Sequence, residues 1–285
     1  MKTFVCDKKT RLSKFLLDRF DGDLSFSEFN KLLRKKDVKI NGVRCGRDTS
    51  VEAGDTVVVY YDGALPTIDQ AVFSDENVIV AVKKKGITSE KFFERLKNEY
   101  PTLYFCHRLD RNTDGLMLFA KNESAYKEIL NAFKVRSFDK FYLCAVYGLF
   151  DKKEDVLSAY LKKDADLGIV TVYDKPILGA KPIKTGYRVI AEDKKENVSL
   201  IEVRLYTGRT HQIRAHLAHI GHFVLGDGKY GSDKINREKK VSKTMLSAYK
   251  MVLHFEKDES LYYLNEKSFE FDCGLQDGFS QKKSF

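Results

Sequence analysis

Apolar positions near the N-terminus recur at helical spacing. Leu12, Phe15, Leu16 and Phe20 predict a helix over residues 11–20. Ser25 stands three residues before Glu28, a capping-box spacing, and opens a second helix to about Lys35 with Phe29, Leu32 and Leu33 inward. The period then falls to two. Residues 38–44 alternate around Asn41-Gly42, a hairpin signal, and residues 57–61 form a further strand after the Gly54-Asp55 turn.

Residues 63–71, with Gly63 and Pro66, read as a linker, which divides the chain into a unit at 1–62 and a larger one at 72–285. In the larger unit the pattern predicts strands at 78–82, 116–120, 140–148, 169–173, 183–190 and 198–206. Helices are expected at 92–100, 123–134 and 210–220, the last with Ile213, Leu217 and Ile220 on one face and Gly221 at its end. Strand outweighs helix, and the fold class is α+β. Residues 280–285 are expected to be disordered.

A chain of 285 residues with 43% hydrophobic and 32% charged residues has enough apolar side chain for a real core and an ordinary globular balance. No apolar run approaches the ~20 residues of a membrane span, and residues 1–7 lack the apolar segment of a secretory signal. The expected location is the cytoplasm. The cysteines, Cys6, Cys45, Cys106, Cys144 and Cys273, are scattered without a Cys-x-x-Cys pair, so neither a disulfide framework nor a zinc site is indicated.

The net charge of +9 changes the picture more. It points to a polyanionic partner, most simply nucleic acid, with no membrane. Residues 31–47 hold seven basic residues against one acid, Asp37. Lys31, Arg34, Lys35, Lys39 and Arg44 are therefore candidate phosphate contacts, weighed against a merely solvated basic face. The run through Arg11-Leu12, Lys14-Phe15-Leu16, Lys31-Leu32-Leu33, Ile40-Asn41-Gly42 and Gly54-Asp55 resembles the small αL RNA-binding domain of the S-four type. Phe26 stands where that domain often has Arg, and Lys36-Asp37 replaces a usual glycine.

Two dense stretches could carry chemistry. The first runs from His107 to Lys121 and sets Asp110 between Arg108 and Arg111, ahead of a buried strand. Neighbouring cations favour an ionised carboxylate; alone, such a pattern is more often a salt-bridged turn than an active site. The second runs from Thr207 to His222. Its four histidines are spaced five, three and three apart without an intervening carboxylate, so no metal is expected. Arg209 and Arg214 are better candidates, since a guanidinium pairs well with a carboxylate or a phosphate. No phosphate-binding glycine loop, dinucleotide fingerprint or serine-esterase elbow occurs.

The first stretch resembles the signature of the RluA-type pseudouridine synthases. Phe141-Tyr142 through Gly148 resembles the family's second motif. Gly208–216 with Gly226-Asp227 and Tyr230-Gly231 resembles the third, and 246–255 the C-terminal strand motif. The resemblance implies a mixed, mainly antiparallel sheet with a central cleft, and isomerisation of uridine to pseudouridine in structured RNA, most simply large-subunit ribosomal RNA. It implies no cofactor and no metal. Asp110 would be the essential aspartate, Arg214 its pairing arginine and Tyr142 the tyrosine beside the uracil. Arg108 would fill the space left by the extruded nucleotide, with Lys250 and Arg209 as phosphate or base contacts. The chain is expected to act as a monomer; the alternative is a non-catalytic RNA-binding protein on the same fold. Three positions depart from the family: Lys83-Lys84-Lys85-Gly86 lacks the usual proline, and Asp114 and Ser247 replace a common Ser and a common His.

Overall fold

Asn41 and Gly42 both adopt positive φ, 49° and 83°, and Ile40 pairs with Val43 across them. A two-residue hairpin turn needs this backbone, and Asn-Gly supplies it at the least strain. In the computed structural model, residues 1–20, 24, 26–61, 71–164 and 168–280 are described. They fall into two compact units, Met1–Ile68 and Asp69–Phe285. Ser25 of the expected capping box, residues 63–70 of the expected linker and residues 281–285 lie outside the described residues.

The first unit runs β1 (Lys2–Val5), β2 (Thr10–Arg11), α1 (Leu12–Phe20), α2 (Phe26–Lys35), β3 (Val38–Ile40), β4 (Val43–Cys45), β5 (Ser50–Val51) and β6 (Thr56–Val59). One sheet has the order β1-β6-β3-β4, and β2 pairs with β5. Both helices bury the predicted apolar stripe, Leu12, Phe15, Leu16 and Phe20 from α1 and Phe29, Leu32 and Leu33 from α2, against Val38, Val57 and Val59. Asp48 caps α1. It accepts from the Ser13 backbone N–H at 2.9 Å and the Ser13 hydroxyl at 2.8 Å, placing a carboxylate at the positive end of the helix. Lys36, just after α2, holds φ at 56°.

The second unit continues with β7 (Ala71–Ser74), β8 (Val78–Lys83), α3 (Ser89–Lys97), β9 (Tyr104–Phe105), β10 (Asp114–Ala120), α4 (Glu123–Val135) and β11 (Asp139–Tyr147). It goes on through β12 (Glu154–Asp164), β13 (Ile169–Tyr173), β14 (Lys181–Asp193), β15 (Val198–Leu205), α5 (Gln212–His219), α6 (Asp233–Glu238), β16 (Leu246–Val252) and β17 (Ser268–Glu270). These strands form a sheet in the order β13-β12-β14-β15-β11-β16-β10-β8-β7, with β9 and β17 paired to β10 and β16. The fold is α+β with a mostly antiparallel sheet. Its parallel pair is β10 with β16, which join through Asp114 opposite Ser247 and Gly115 opposite Ala248.

That junction fixes the glycine of the first motif. Gly115 has φ 123°, and a Cβ there would lie 2.2 Å from the Ala248 carbonyl oxygen. Only glycine lets the start of β10 pass so close to β16. The apolar run behind it is buried as expected: Val78, Val80, Leu116, Leu118 and Ala120 pack with Ile129 of α4 and Met251 of β16.

Some elements differ from the sequence pattern. Helix α3 starts at Ser89 and not at 92, because the Thr88 hydroxyl accepts the Lys91 N–H at 3.2 Å and caps it there. Residue 71, expected in the linker, opens β7. Strand β12 is absent from the expected elements; only Ala159 and Leu161 are buried along it, too few for a clear period-two signal. Helix α5 is shorter than residues 210–220 because Thr210 and His211 form the turn into it. Among the described residues, no helix is long and apolar enough to cross a membrane.

Candidate active site

The loop from His107 to Thr113 is fastened on each side of Asp110. The Ser89 hydroxyl donates to the Leu109 carbonyl at 2.9 Å and accepts the Leu109 N–H at 2.8 Å. Beyond Asp110, the Gly86 N–H donates to the Arg111 carbonyl at 2.9 Å, and Arg111 Nε returns a bond to the Gly86 carbonyl at 2.9 Å. The fully buried Lys83 sits behind, its Nζ donating to the carbonyls of Lys84 and Ile87 at 3.1 Å and of Arg111 at 3.4 Å. Burial pushes the Lys83 pKa down to about 8, against the pull of Asp114 and Asp110. His107 closes the other end. Its Nε2 accepts the Leu118 N–H at 2.9 Å, and desolvation, helped by Lys140, pushes its pKa down to about 3.

Neither sequence neighbour supplies the cation for Asp110. Arg108 is exposed and reaches Glu90 at 3.5 Å, while Arg111 is turned to Gly86. The guanidinium that meets Asp110 is that of Arg214, with Nη1 3.3 Å from Oδ2. Arg214 is buried, and it is anchored by Asp227: Nε donates to Oδ2 at 2.6 Å and Nη2 to Oδ1 at 2.7 Å. Asp227 is fully buried and also accepts the N–H groups of Lys229 and Tyr230. Burial works against both charges, yet each holds the other ionised: the Asp227 pKa lies below the usual carboxylate range and that of Arg214 above its ordinary value.

The turn that delivers Arg214 is fixed by Gln212. Its Oε1 accepts from the Thr207 hydroxyl at 2.8 Å and the Arg209 N–H at 3.1 Å, while Nε2 donates to the Lys184 carbonyl and the Thr185 hydroxyl. Every polar capacity of this buried amide is used, which locks the start of α5 against β14. Gly226, at φ 74° and with the Lys243 carbonyl 2.1 Å from any added Cβ, sets the tight approach that brings Asp227 inward.

These elements enclose a cavity of about 490 Å³. Asp110, Tyr142, Arg214, Arg108 and Arg209 all line it, together with Lys140, Tyr206 and His211. Tyr142 is buried on β11, and burial, with the charge of Asp110 adding to it, drives its pKa well above the usual phenol value; the hydroxyl stays neutral. Lys134, Arg136, Lys140 and Arg209 surround the same space, and none of them meets a carboxylate among the described residues.

Lys250 does not line the cavity; it sits on β16, paired with Glu270 at 2.7 Å. In the first unit, Lys31, Arg34 and Lys35 are exposed on α2 and Arg44 on β4, while Lys39 of β3 lies 5.2 Å over the Tyr60 ring. None of the five has a carboxylate partner among the described residues. Asp114, one of the positions that depart from the family resemblance, lies 3.5 Å from Lys85 Nζ. Its charge thus meets one lysine of the Lys83-Lys84-Lys85 run. Asp227, Lys83, Ser89 and Gln212 have no assigned role in the sequence pattern. Asp227 is the most legible of these, since it stands in the Gly226-Asp227 pair of the third motif.

Comparison with known proteins decides the family. The profile described as RNA pseudouridylate synthase matches residues 76–219, half of the chain. The chain belongs to this family. An uncharacterized RNA pseudouridine synthase of Mycoplasma genitalium is 32% identical over 262 residues, 79% of this chain and 80% of that one. The ribosomal large subunit pseudouridine synthase C of Vibrio cholerae is 26% identical over 93% of this chain and 90% of its own length. The mitochondrial tRNA pseudouridine(32) synthase of Saccharomyces cerevisiae is 30% identical over 82% of this chain, but over 54% of its own. The structure of human RNA pseudouridylate synthase domain containing 1 shares the fold, with a TM-score of 0.58, 23% identity and coverage of 76% of this chain and 97% of that one. This pseudouridine synthase is thus an isomerase that converts uridine to pseudouridine in RNA.

Proposed function

We propose that the enzyme modifies uridines of large-subunit ribosomal RNA in the cytoplasm, with Asp110 as its catalytic carboxylate. The observation that carries this reading is the chain of contacts from Asp227 through Arg214 to Asp110 in a cavity closed by a neutral Tyr142. The reaction breaks the bond between ribose C1′ and uracil N1, turns the base and joins C1′ to C5; the C5 proton leaves and N1 gains one. Asp110 acts either at C1′ as nucleophile or at C2′ as base, and Arg214, 3.3 Å from its Oδ2, holds the carboxylate in place for either role. Tyr142 lies against the base and takes part in removal of the C5 proton.

The target uridine has to leave its helix to enter such a cavity. Arg108, exposed at the rim, is suited to the vacated stack, and Lys134, Arg136, Lys140 and Arg209 to the phosphates on either side. The first unit, read as an αL RNA-binding domain, adds Lys31, Arg34, Lys35, Lys39 and Arg44 as phosphate contacts. Its hairpin, buried helix stripe and basic face without carboxylate partners among the described residues support that reading. The ribosomal target draws on the activity carried by the name of the Vibrio relative. The test is Asp110→Ala, assayed by pseudouridine mapping of ribosomal and transfer RNA and by RNA binding. Loss of pseudouridine with binding retained supports the reading; full turnover, or a missing site confined to transfer RNA, overturns it.

A further inference from the structure

His211 lines the cavity from a left-handed backbone conformation, φ 53° and ψ 16°. A side chain with a Cβ adopts that region at a cost, and such strain collects where a side chain must be aimed. His211 stands at the N-cap of α5 but makes no capping hydrogen bond. Its Nδ1 instead lies 2.8 Å from the Tyr230 hydroxyl.

Tyr230 decides the tautomer. Its hydroxyl already accepts the Val170 N–H at 2.9 Å. The one acceptor for its own proton among the described residues is His211 Nδ1. With Tyr230 donating to Nδ1, the imidazole carries its proton on Nε2. That nitrogen has no protein partner among the described residues, and the ring is only partly buried in the cavity wall. Burial lowers the pKa of His211, and Arg214 and Lys229 lower it further against the pull of Asp110, so the ring is held toward its neutral form.

The Nε2–H of His211 is therefore a neutral donor of fixed direction among several cations in the cavity wall. Phosphate oxygens are better matched by Lys140, Arg136 and Arg209. A neutral N–H is matched to a neutral acceptor. We propose that His211 is a specificity-determining residue, donating from Nε2 to a carbonyl oxygen of the uracil in the cavity. This rests on the reading of the site given above. A donor here rewards a carbonyl. If the oxygen contacted is O4, the amino group that cytosine carries at that position leaves two donors facing each other in a confined site, whereas a contact to O2 orients the base without rejecting cytosine.

The experiment uses full-length enzyme and large-subunit ribosomal RNA transcripts made with UTP, 4-thio-UTP or 2-thio-UTP, with product nucleosides read by mass spectrometry. His211→Phe keeps a ring and removes the donor; His211→Gln keeps an N–H at similar reach. With the uridine transcript, His211→Phe should lose roughly 10–100-fold in kcat/KM, the scale of one missing donor in a buried site, with RNA affinity unchanged. His211→Gln should recover part of that loss. Sulfur is a weaker acceptor than oxygen, so one of the two thio transcripts should slow wild type but leave His211→Phe no slower than with uridine. The position that shows this coupling identifies the oxygen contacted.

Turnover of His211→Phe within twofold of wild type, or the same thio penalties in both proteins, overturns the proposal. Should His211→Phe fail to fold by circular dichroism, Tyr230→Phe releases the tautomer and is expected to weaken the same coupling; an unchanged coupling then counts against it. Wild type that forms no pseudouridine on any transcript overturns the ribosomal reading of the site and this inference with it. Active wild type beside an equally active His211→Phe overturns this inference alone.

Discussion

Arg214 gives Asp227 its two short hydrogen bonds, at 2.6 and 2.7 Å, and reaches Asp110 with its remaining nitrogen at 3.3 Å. The anchor of the arginine is thus a different carboxylate from the one it serves. A guanidinium held on one side by a buried partner can face the other carboxylate without being free to swing away, which is the preorganisation that charge stabilisation needs.

Asp227→Asn should therefore be costly to the fold as well as to turnover. It leaves Arg214 buried with only the partly exposed Asp110 for a counter-charge, and breaking a buried pair in this way typically costs about 3–5 kcal/mol. Asp110→Asn should cost much less in urea unfolding, because the 3.3 Å contact is longer and lies toward solvent. Equal destabilisation by the two substitutions would show that Asp227 is not the anchor.

His107 predicts a pH dependence. Its pKa is about 3 in the fold against an ordinary 6.5, so between those values the unfolded chain binds a proton that the folded chain excludes. The stabilisation is fully present above pH 6.5 and is lost progressively as the pH falls toward 3. The cause is desolvation of the buried ring, helped by Lys140, and the Nε2 lone pair that a proton would need already accepts the Leu118 N–H. From pH 7 to 5 wild type should lose about 2 kcal/mol through this group. His107→Gln offers an acceptor that does not titrate, so its urea-unfolding stability should fall by about 2 kcal/mol less over the same interval. Parallel losses in the two proteins would assign the acid sensitivity elsewhere.

Most of this architecture follows from local rules. The stripe of Leu12, Phe15 and Leu16, the Asn41-Gly42 turn and the apolar run behind Gly115 announce themselves because each is set by neighbours a few residues away. The site is less legible, since its contacts join segments far apart in the chain. Arg108 and Arg111 look like partners of Asp110 by position, yet the loop turns one to Glu90 and the other to Gly86; Arg214, expected from the family resemblance and not from spacing, meets it from 104 positions away. Lys83 is one of three consecutive lysines in the sequence, and only the fold shows that it is buried with its Nζ donating to three carbonyls. Strand β12 is hidden for another reason: it buries just two side chains and carries charge at both ends.

The basic face of the first unit should appear in the salt dependence of RNA binding. Lys31, Arg34 and Lys35 are exposed on one helix without carboxylate partners among the described residues, so phosphates are their available counter-ions. Replacing all three with Gln should weaken binding about equally for different RNA sequences. The slope of log K against log salt should become shallower by about 0.7–0.9 for each phosphate that is no longer neutralised. An unchanged slope would mean that this face does not meet RNA.

Tyr142→Phe separates the hydroxyl from the ring. The ring is buried on β11 between β15 and β16, so Phe keeps the packing, and the melting temperature should move by only a few degrees. The hydroxyl makes no hydrogen bond to protein among the described residues, and burial together with Asp110 keeps it protonated. If it acts on the bound base, Tyr142→Phe should lower kcat on the order of 100-fold or more, the scale of removing a general acid–base group, while KM for RNA stays nearly constant. Asp110 would still carry out its own step, so base detachment could outlast base reattachment. Single-turnover assays that follow C5 tritium release separately from substrate consumption would register that split. A variant with normal kcat would reduce Tyr142 to a wall of the cavity.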